Sequence, residues 1–128
     1  MERADLEEFY RSYLGRCNEH RFEELGEFVD DRVEVNGAPH DVGHYAAGLR
    51  TVVQQYPDFH WELKHLLIDG DWLSAHLIDT YSTLDGRRAS LQEFATYHVT
   101  EGRIVQVWGD LEQARLLTAA EDARVSMT

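Results

Sequence analysis

Four segments in the second half of the chain, DFHWELKHLLI, DWLSAHLIDTYSTL, RRASLQEFATYHV and RIVQVWGDL, alternate apolar and polar side chains with a period of two. A chain with that pattern must place alternate side chains on opposite faces of a sheet, so each segment predicts a strand with one buried face. Between them stand Asp-Gly at 69–70, Asp-Gly at 85–86 and Glu-Gly at 101–102. Such dipeptides suit tight hairpins, whose central residues need positive φ. The expectation is an antiparallel meander of four strands.

The first half has a different period. Leu6, Phe9, Tyr10, Tyr13, Leu14 and Cys17 recur at steps of three and four, which aligns them on one side of a helix from about Ala4 to Asn18. Phe22, Leu25, Phe28 and Val29 continue that period in a short second helix. The fragment RVEVNG then reads as a strand closed by an Asn-Gly turn. Asp41 is a suitable N-cap for a third helix that runs to about Gln55, with Val42, Tyr45, Ala46, Leu49, Val52 and Val53 inward, and Pro57 ends it. Helices followed by a curved, mainly antiparallel sheet predict an α+β fold in the shape of a cone, as one domain over residues 1–128. From Glu112 the segment EQARLL favours a helical turn before a polar end.

Charge narrows the partners. With 24 acidic and 12 basic side chains the formal net charge is −12, which repels nucleic-acid phosphates and anionic lipid surfaces. Neither nucleic acid nor membrane is expected as a partner, since no stretch approaches the roughly 18 apolar residues of a membrane span. A single cysteine, Cys17, excludes an internal disulfide, and the charged start MERADLEEFYR lacks the apolar run of a signal peptide. The expectation is a cytoplasmic protein.

The fourth strand raises a chemical question, because it carries Trp108 and then Asp110. A strict period of two puts Ile104, Gln106, Trp108 and Asp110 on one face and Val105, Val107 and Leu111 on the other. If the first face lines the cone, Asp110 lies against an indole, and loss of water disfavours its charge. A carboxyl in that setting serves as a general base near neutral pH. The alternative is that Asp110 caps the helical turn in GDLEQARL. The apolar residues of the second face predict dimerisation through the sheet.

Asp79 interrupts the apolar register of Leu73, Ala75 and Leu77, so it is either paired inside the cone or turned outward by a bulge. His65 shares parity with Phe59, Trp61 and Leu63 and is expected to reach the cone, there to orient a substrate oxygen or assist Asp110. Tyr45, Trp61 and Tyr97, with Gln106 and Trp108, are candidates for binding a small hydrophobic ligand; plain core packing is the other reading of the aromatics. The remaining histidines read as structural or surface residues, His98 having a weaker claim to the cone. No HExxH set, nucleophile elbow, phosphate loop or dinucleotide fingerprint occurs, so neither a metal nor another cofactor is expected.

The order FYRSYLGRCNEHRFEELGEFVDDRVEVNG, YPDFHWEL and EGRIVQVWGDLEQ resembles the SnoaL-like polyketide cyclases of the nuclear transport factor 2-like superfamily, over roughly residues 5–117. The resemblance implies a cone with an apolar pocket, commonly in a dimer. It also implies that an acid after the last strand removes a carbon-bound proton, so that the enolate closes a ring by aldol attack. Asp110 matches that acid, with Glu112 as a rival. Two other readings follow from the superfamily. One is a non-catalytic ligand-binding or scaffold domain. The other is an epoxide hydrolase using Asp79 and Asp110, against which Leu77 stands where those enzymes have an arginine. Ketosteroid isomerases pair an aspartate with a tyrosine and a protonated acid, and no tyrosine here matches by spacing.

Overall fold

The computed structural model describes residues 1–109. Its order is α1 (Arg3–Asn18), a 3-10 helix (Phe22–Glu27), β1 (Val29–Val35), β2 (Ala38–Pro39), α2 (Val42–Gln55), β3 (His60–Asp69), β4 (Trp72–Ser82), β5 (Arg88–Thr100) and β6 (Arg103–Gly109). The helices pack on one face of a six-stranded sheet of order β2-β1-β6-β5-β4-β3, giving the α+β cone. The strands β3 to β6 form the antiparallel meander. What the alternation did not foretell is that β1 joins the sheet beside β6, in parallel.

Local chemistry accounts for the element ends. Asp41 caps α2 by accepting from the His44 amide at 2.8 Å. Asn36 and Gly37 both have positive φ, 49° and 82°, as a two-residue hairpin turn requires. Glu101 and Gly102 repeat the arrangement between β5 and β6. The segment after Arg21 tightens to a 3-10 helix, and Val29 begins a strand instead of continuing that helix.

Two bulges decide which residues face inward. In β3, Leu63 pairs with Leu77 but His65 pairs with His76, so Lys64 is an extra residue. In β6, Ile104 pairs with Val99 but Gln106 pairs with His98, so Val105 is the extra one. Each bulge bends its strand and reverses the parity of everything beyond it. On the inner side the core gathers Leu6, Tyr10, Leu25, Val33, Tyr56, Phe59, Leu73, Leu77, Ile104 and Val107, all nearly inaccessible to solvent. The Asn18 carboxamide fastens α1 to the sheet by pairing with both the N–H and the carbonyl of Trp61, at 2.8 Å each. Among the described residues no helix is long and apolar enough to cross a membrane.

Candidate active site

The inner face of β4 and β5 is where acids meet aromatic walls. Strand β4 pairs with β5 without irregularity from Trp72 to Ser82. Leu73, Ala75, Leu77, Asp79 and Tyr81 therefore stay on one face, and Asp79 is buried with 0% exposure. Of the two alternatives for Asp79, the inward one holds, because there is no bulge to turn it out. Its direct neighbours across the strands are Trp61 on β3 and Leu91 on β5. An acid beside an indole thus exists among the described residues at Asp79 and Trp61.

A second acid shares this face. Glu93 is 5% exposed and pairs with Leu77, one step diagonally from Asp79. Diagonal neighbours of this kind lie about 7–8 Å apart. The sequence signal for Glu93 is its parity: it stands four residues before Tyr97 on β5 and so shares its face.

Aromatic side chains enclose the rest. Trp61 packs edge-on against Phe59, with ring centroids 4.8 Å apart, and Phe59 stacks on Tyr81 at 5.7 Å. Tyr45 and Tyr97 are buried on the same inner side, with Tyr10 and Tyr13 from α1. The Tyr10 hydroxyl donates to that of Tyr97 at 3.3 Å, and the hydroxyls of Tyr13 and Tyr45 are hydrogen-bonded to each other. Burial is the main reason that all four phenols hold their protons far above the ordinary phenol range. The Cys17 thiol lies against this group, pushed up to about 12 by the same loss of water.

Other expected members of the site lie elsewhere. Trp108 is 42% exposed on the outer face, where its indole N–H donates to Gln106 Oε1 at 3.1 Å. The extra residue Val105 shifts the register, so Ile104 and Val107 point inward, and Trp108 and Gln106 share the outer face with Thr96 and His98. This corrects the placement of Trp108 and Gln106 in the cone and that of Val107 on the outer face. His65 is likewise outside: past Lys64 it stacks on His76, centroids 5.2 Å apart, with their Nδ1 atoms 2.9 Å apart. Its expected role beside a cone-bound base does not fit that position. Asp110, Leu111 and Glu112 lie outside the described residues.

Residues 4–120 match the SnoaL-like polyketide cyclase family. No protein of curated function shows significant similarity to the sequence. Among solved structures, a SnoaL-like polyketide cyclase from Agrobacterium tumefaciens is 32% identical, with a TM-score of 0.76 over 88% of this chain and 97% of that one. IdmH, a putative polyketide cyclase from Streptomyces antibioticus, aligns over the same shares with 15% identity and a TM-score of 0.75. TsrD from Streptomyces laurentii is 20% identical, with a TM-score of 0.77 over 91% of this chain and 97% of that one. At these lower identities the likeness is one of fold.

Proposed function

The chain belongs to the SnoaL-like polyketide cyclase family, and from that premise we propose a cofactor-independent cyclase or isomerase that removes a carbon-bound proton from a small hydrophobic carbonyl compound. The observation that carries this reading is Asp79, an acid fully enclosed on the inner face between Trp61 and Leu91. An acid enclosed by apolar side chains is the kind of group that serves proton transfer near neutral pH, because leaving water costs the charged form. A wall of phenylalanine, tyrosine and tryptophan rings suits an apolar substrate and excludes the water that would quench an enolate.

In this reading Asp110, which the family resemblance marks as the base, takes the proton, and the electron pair of the broken C–H bond moves into the enolate. Asp79 is the second acid and returns a proton when the ring has closed. Trp61, Tyr45 and Tyr97 hold the substrate. The supporting fact for the aromatic residues is their burial on the inner side, where Trp61 pairs with Asp79.

The test is turnover and substrate-dependent deuterium exchange, using a panel of polyketide-type β-keto esters followed by mass spectrometry. Asp110→Asn should abolish both, and Asp79→Asn should lower turnover by at least about a hundredfold, in the range of lost acid–base catalysis. Glu112→Gln should leave both in place. Full activity in both aspartate variants would remove the roles given to these acids, and no turnover or exchange by the wild type would leave a binding domain.

We further propose that two copies associate through the outer face of the sheet. That face exposes Leu67, Trp72, Phe94 and Trp108. Among the described residues, β4, β5 and β6 contribute no carboxylate to it, in a chain whose formal charge is −12. Two acidic copies meet least repulsion across that central strip, which Glu62 and Asp69 on β3 and Glu34 on β1 flank.

A further inference from the structure

The outer face of the sheet carries a histidine pair that the proton-abstraction reading does not use. His65 on β3 is the direct cross-strand partner of His76 on β4, their ring planes are 4° from parallel, and their Nδ1 atoms are hydrogen-bonded at 2.9 Å. His76 also reaches β5, where its Nε2 lies 2.8 Å from Gln92 Oε1 and its ring stacks on Phe94 with centroids 4.7 Å apart. One chain of contacts thus crosses three strands. The hydrogen bonds fix where its protons are. Gln92 Oε1 only accepts, so His76 Nε2 carries a hydrogen and, in the neutral ring, His76 Nδ1 is an acceptor. The hydrogen between the rings therefore belongs to His65 Nδ1, which leaves His65 Nε2 as the open basic nitrogen. A hydrogen on both Nδ1 atoms would set two N–H groups against each other across 2.9 Å. The pair as built takes up one further proton, not two.

Little on this face neutralises the charge that such a proton brings. On β3, Glu62 is held by Lys64 at 3.3 Å, and His60 and Asp69 lie at the two ends of the strand. On β4 the same face presents Trp72, Ser74, Ile78 and Thr80, none of them charged. On β5 the charged or titratable side chains stand at the two ends, where Arg88 bonds Asp58 at 2.6 Å and His98 bonds Asp71 at 2.9 Å. Next to the pair are Phe94 and Leu67, both largely exposed apolar side chains. A surface of this make-up suits contact with a second copy while the rings are neutral. It suits that contact poorly once one ring is an imidazolium, because a charge that loses water without a partner is costly.

We propose that the His65–His76 pair is a pH switch for the association of two copies: the neutral pair permits contact across the outer face, and the proton taken up at His65 Nε2 in mild acid separates them. The inference rests on the sheet-mediated assembly proposed above and adds its regulation. In a separate copy the imidazolium keeps its water. In the assembly it loses water beside Phe94 and Leu67, and a two-fold interface presents the same patch twice, so each copy brings a like charge to one surface. Two separate copies therefore bind one proton each that the dimer does not. Association is favoured above the histidine range and is lost as pH falls through it.

The experiment is sedimentation equilibrium of the full chain at constant ionic strength from about pH 8 to about pH 5.5, across the histidine range, with circular dichroism at each pH. It compares the wild type with His65→Leu/His76→Phe and with His98→Gln. The wild-type dissociation constant should rise as pH falls, by up to about a hundredfold per pH unit, the limit for one proton per copy. The double variant keeps a ring against Phe94 and removes both titrating groups, so its constant should change by less than about threefold over the whole range. His98→Gln should keep the wild-type dependence. A dimer whose constant is flat with pH, or that tightens in acid, overturns the switch and leaves the assembly standing. A monomer throughout removes the assembly itself and the switch with it. The wild-type dependence persisting in the double variant, or vanishing in His98→Gln, places the proton elsewhere and overturns the part given to the pair.

Discussion

The carboxamide of Asn36 closes on the backbone of Gly109: its Oδ1 accepts the Gly109 N–H at 2.9 Å, and its Nδ2 donates to the Gly109 carbonyl at 3.2 Å. One residue thereby serves two purposes, since Asn36 also forms the hairpin turn between β1 and β2. The clamp ties the end of β6 to its parallel neighbour at the residue that precedes the proposed base in sequence. Gly109 itself has no substitute. Its φ is 131°, and a Cβ there would meet the Phe94 carbonyl oxygen at 2.2 Å. Gly109→Ala should cost about 3 kcal/mol or more in urea unfolding, combining backbone strain with that clash. Asn36→Ala should cost about 1–2 kcal/mol and lower kcat about tenfold or more with a smaller change in KM, because a displaced base loses orientation.

The Cys17 thiol should be chemically silent in the folded protein. It is buried against Tyr13 and its proton is held up to about 12, so almost no thiolate exists at mildly alkaline pH. Ellman's reagent should react with it only after denaturation. Rapid reaction of the native protein would show that α1 opens on the time scale of the assay.

Acid sensitivity at the β4–β5 hairpin should begin only well below neutrality. The Thr83 hydroxyl donates to the Asp85 carboxylate, and the Arg87 guanidinium lies 2.8 Å from it. Together, the hydroxyl first, they hold the carboxyl down to about 2 from its ordinary 3.8. A depressed carboxyl pKa contributes stability that is present above the ordinary value and is lost as pH falls through the folded one. Between neutrality and pH ~4 the hairpin should therefore be indifferent to pH. NMR titration should place Asp85 near 2 in the wild type and return it toward the ordinary range in Thr83→Val.

Association through the sheet should yield to charge. Analytical ultracentrifugation at micromolar concentration should give twice the monomer mass for the wild type and the monomer mass for Leu67→Glu/Phe94→Glu, with circular dichroism unchanged. Both side chains are largely exposed, at 70% and 56%, so substitution leaves the core alone. A wild type sedimenting as a monomer would remove the proposed assembly.

Much of the fold could be read locally. The alternation at 58–84 and 87–108, the Asp-Gly and Glu-Gly turns and the helical spacing from Leu6 to Cys17 depend on neighbours in the chain, and the elements fall close to where these signals place them. Burial of Tyr45, Trp61 and Tyr97 was legible for the same reason. The parity of His65, Gln106 and Trp108 was not. Each follows a bulge, and a bulge is a mismatch between two strands, which one strand's sequence does not announce.

What the sequence by itself determined was the set of elements, the turn positions and the supply of acids and phenols. Tertiary structure alone decided which of them meet. It placed Asp79 against Trp61 through strand pairing, and it gathered Tyr10, Tyr13, Tyr45 and Tyr97 over as many as 87 positions in the chain. Periodicity reports the direction of a side chain relative to its own element. The partner across the sheet or beneath the helix is fixed by register and packing, which are properties of the assembled chain.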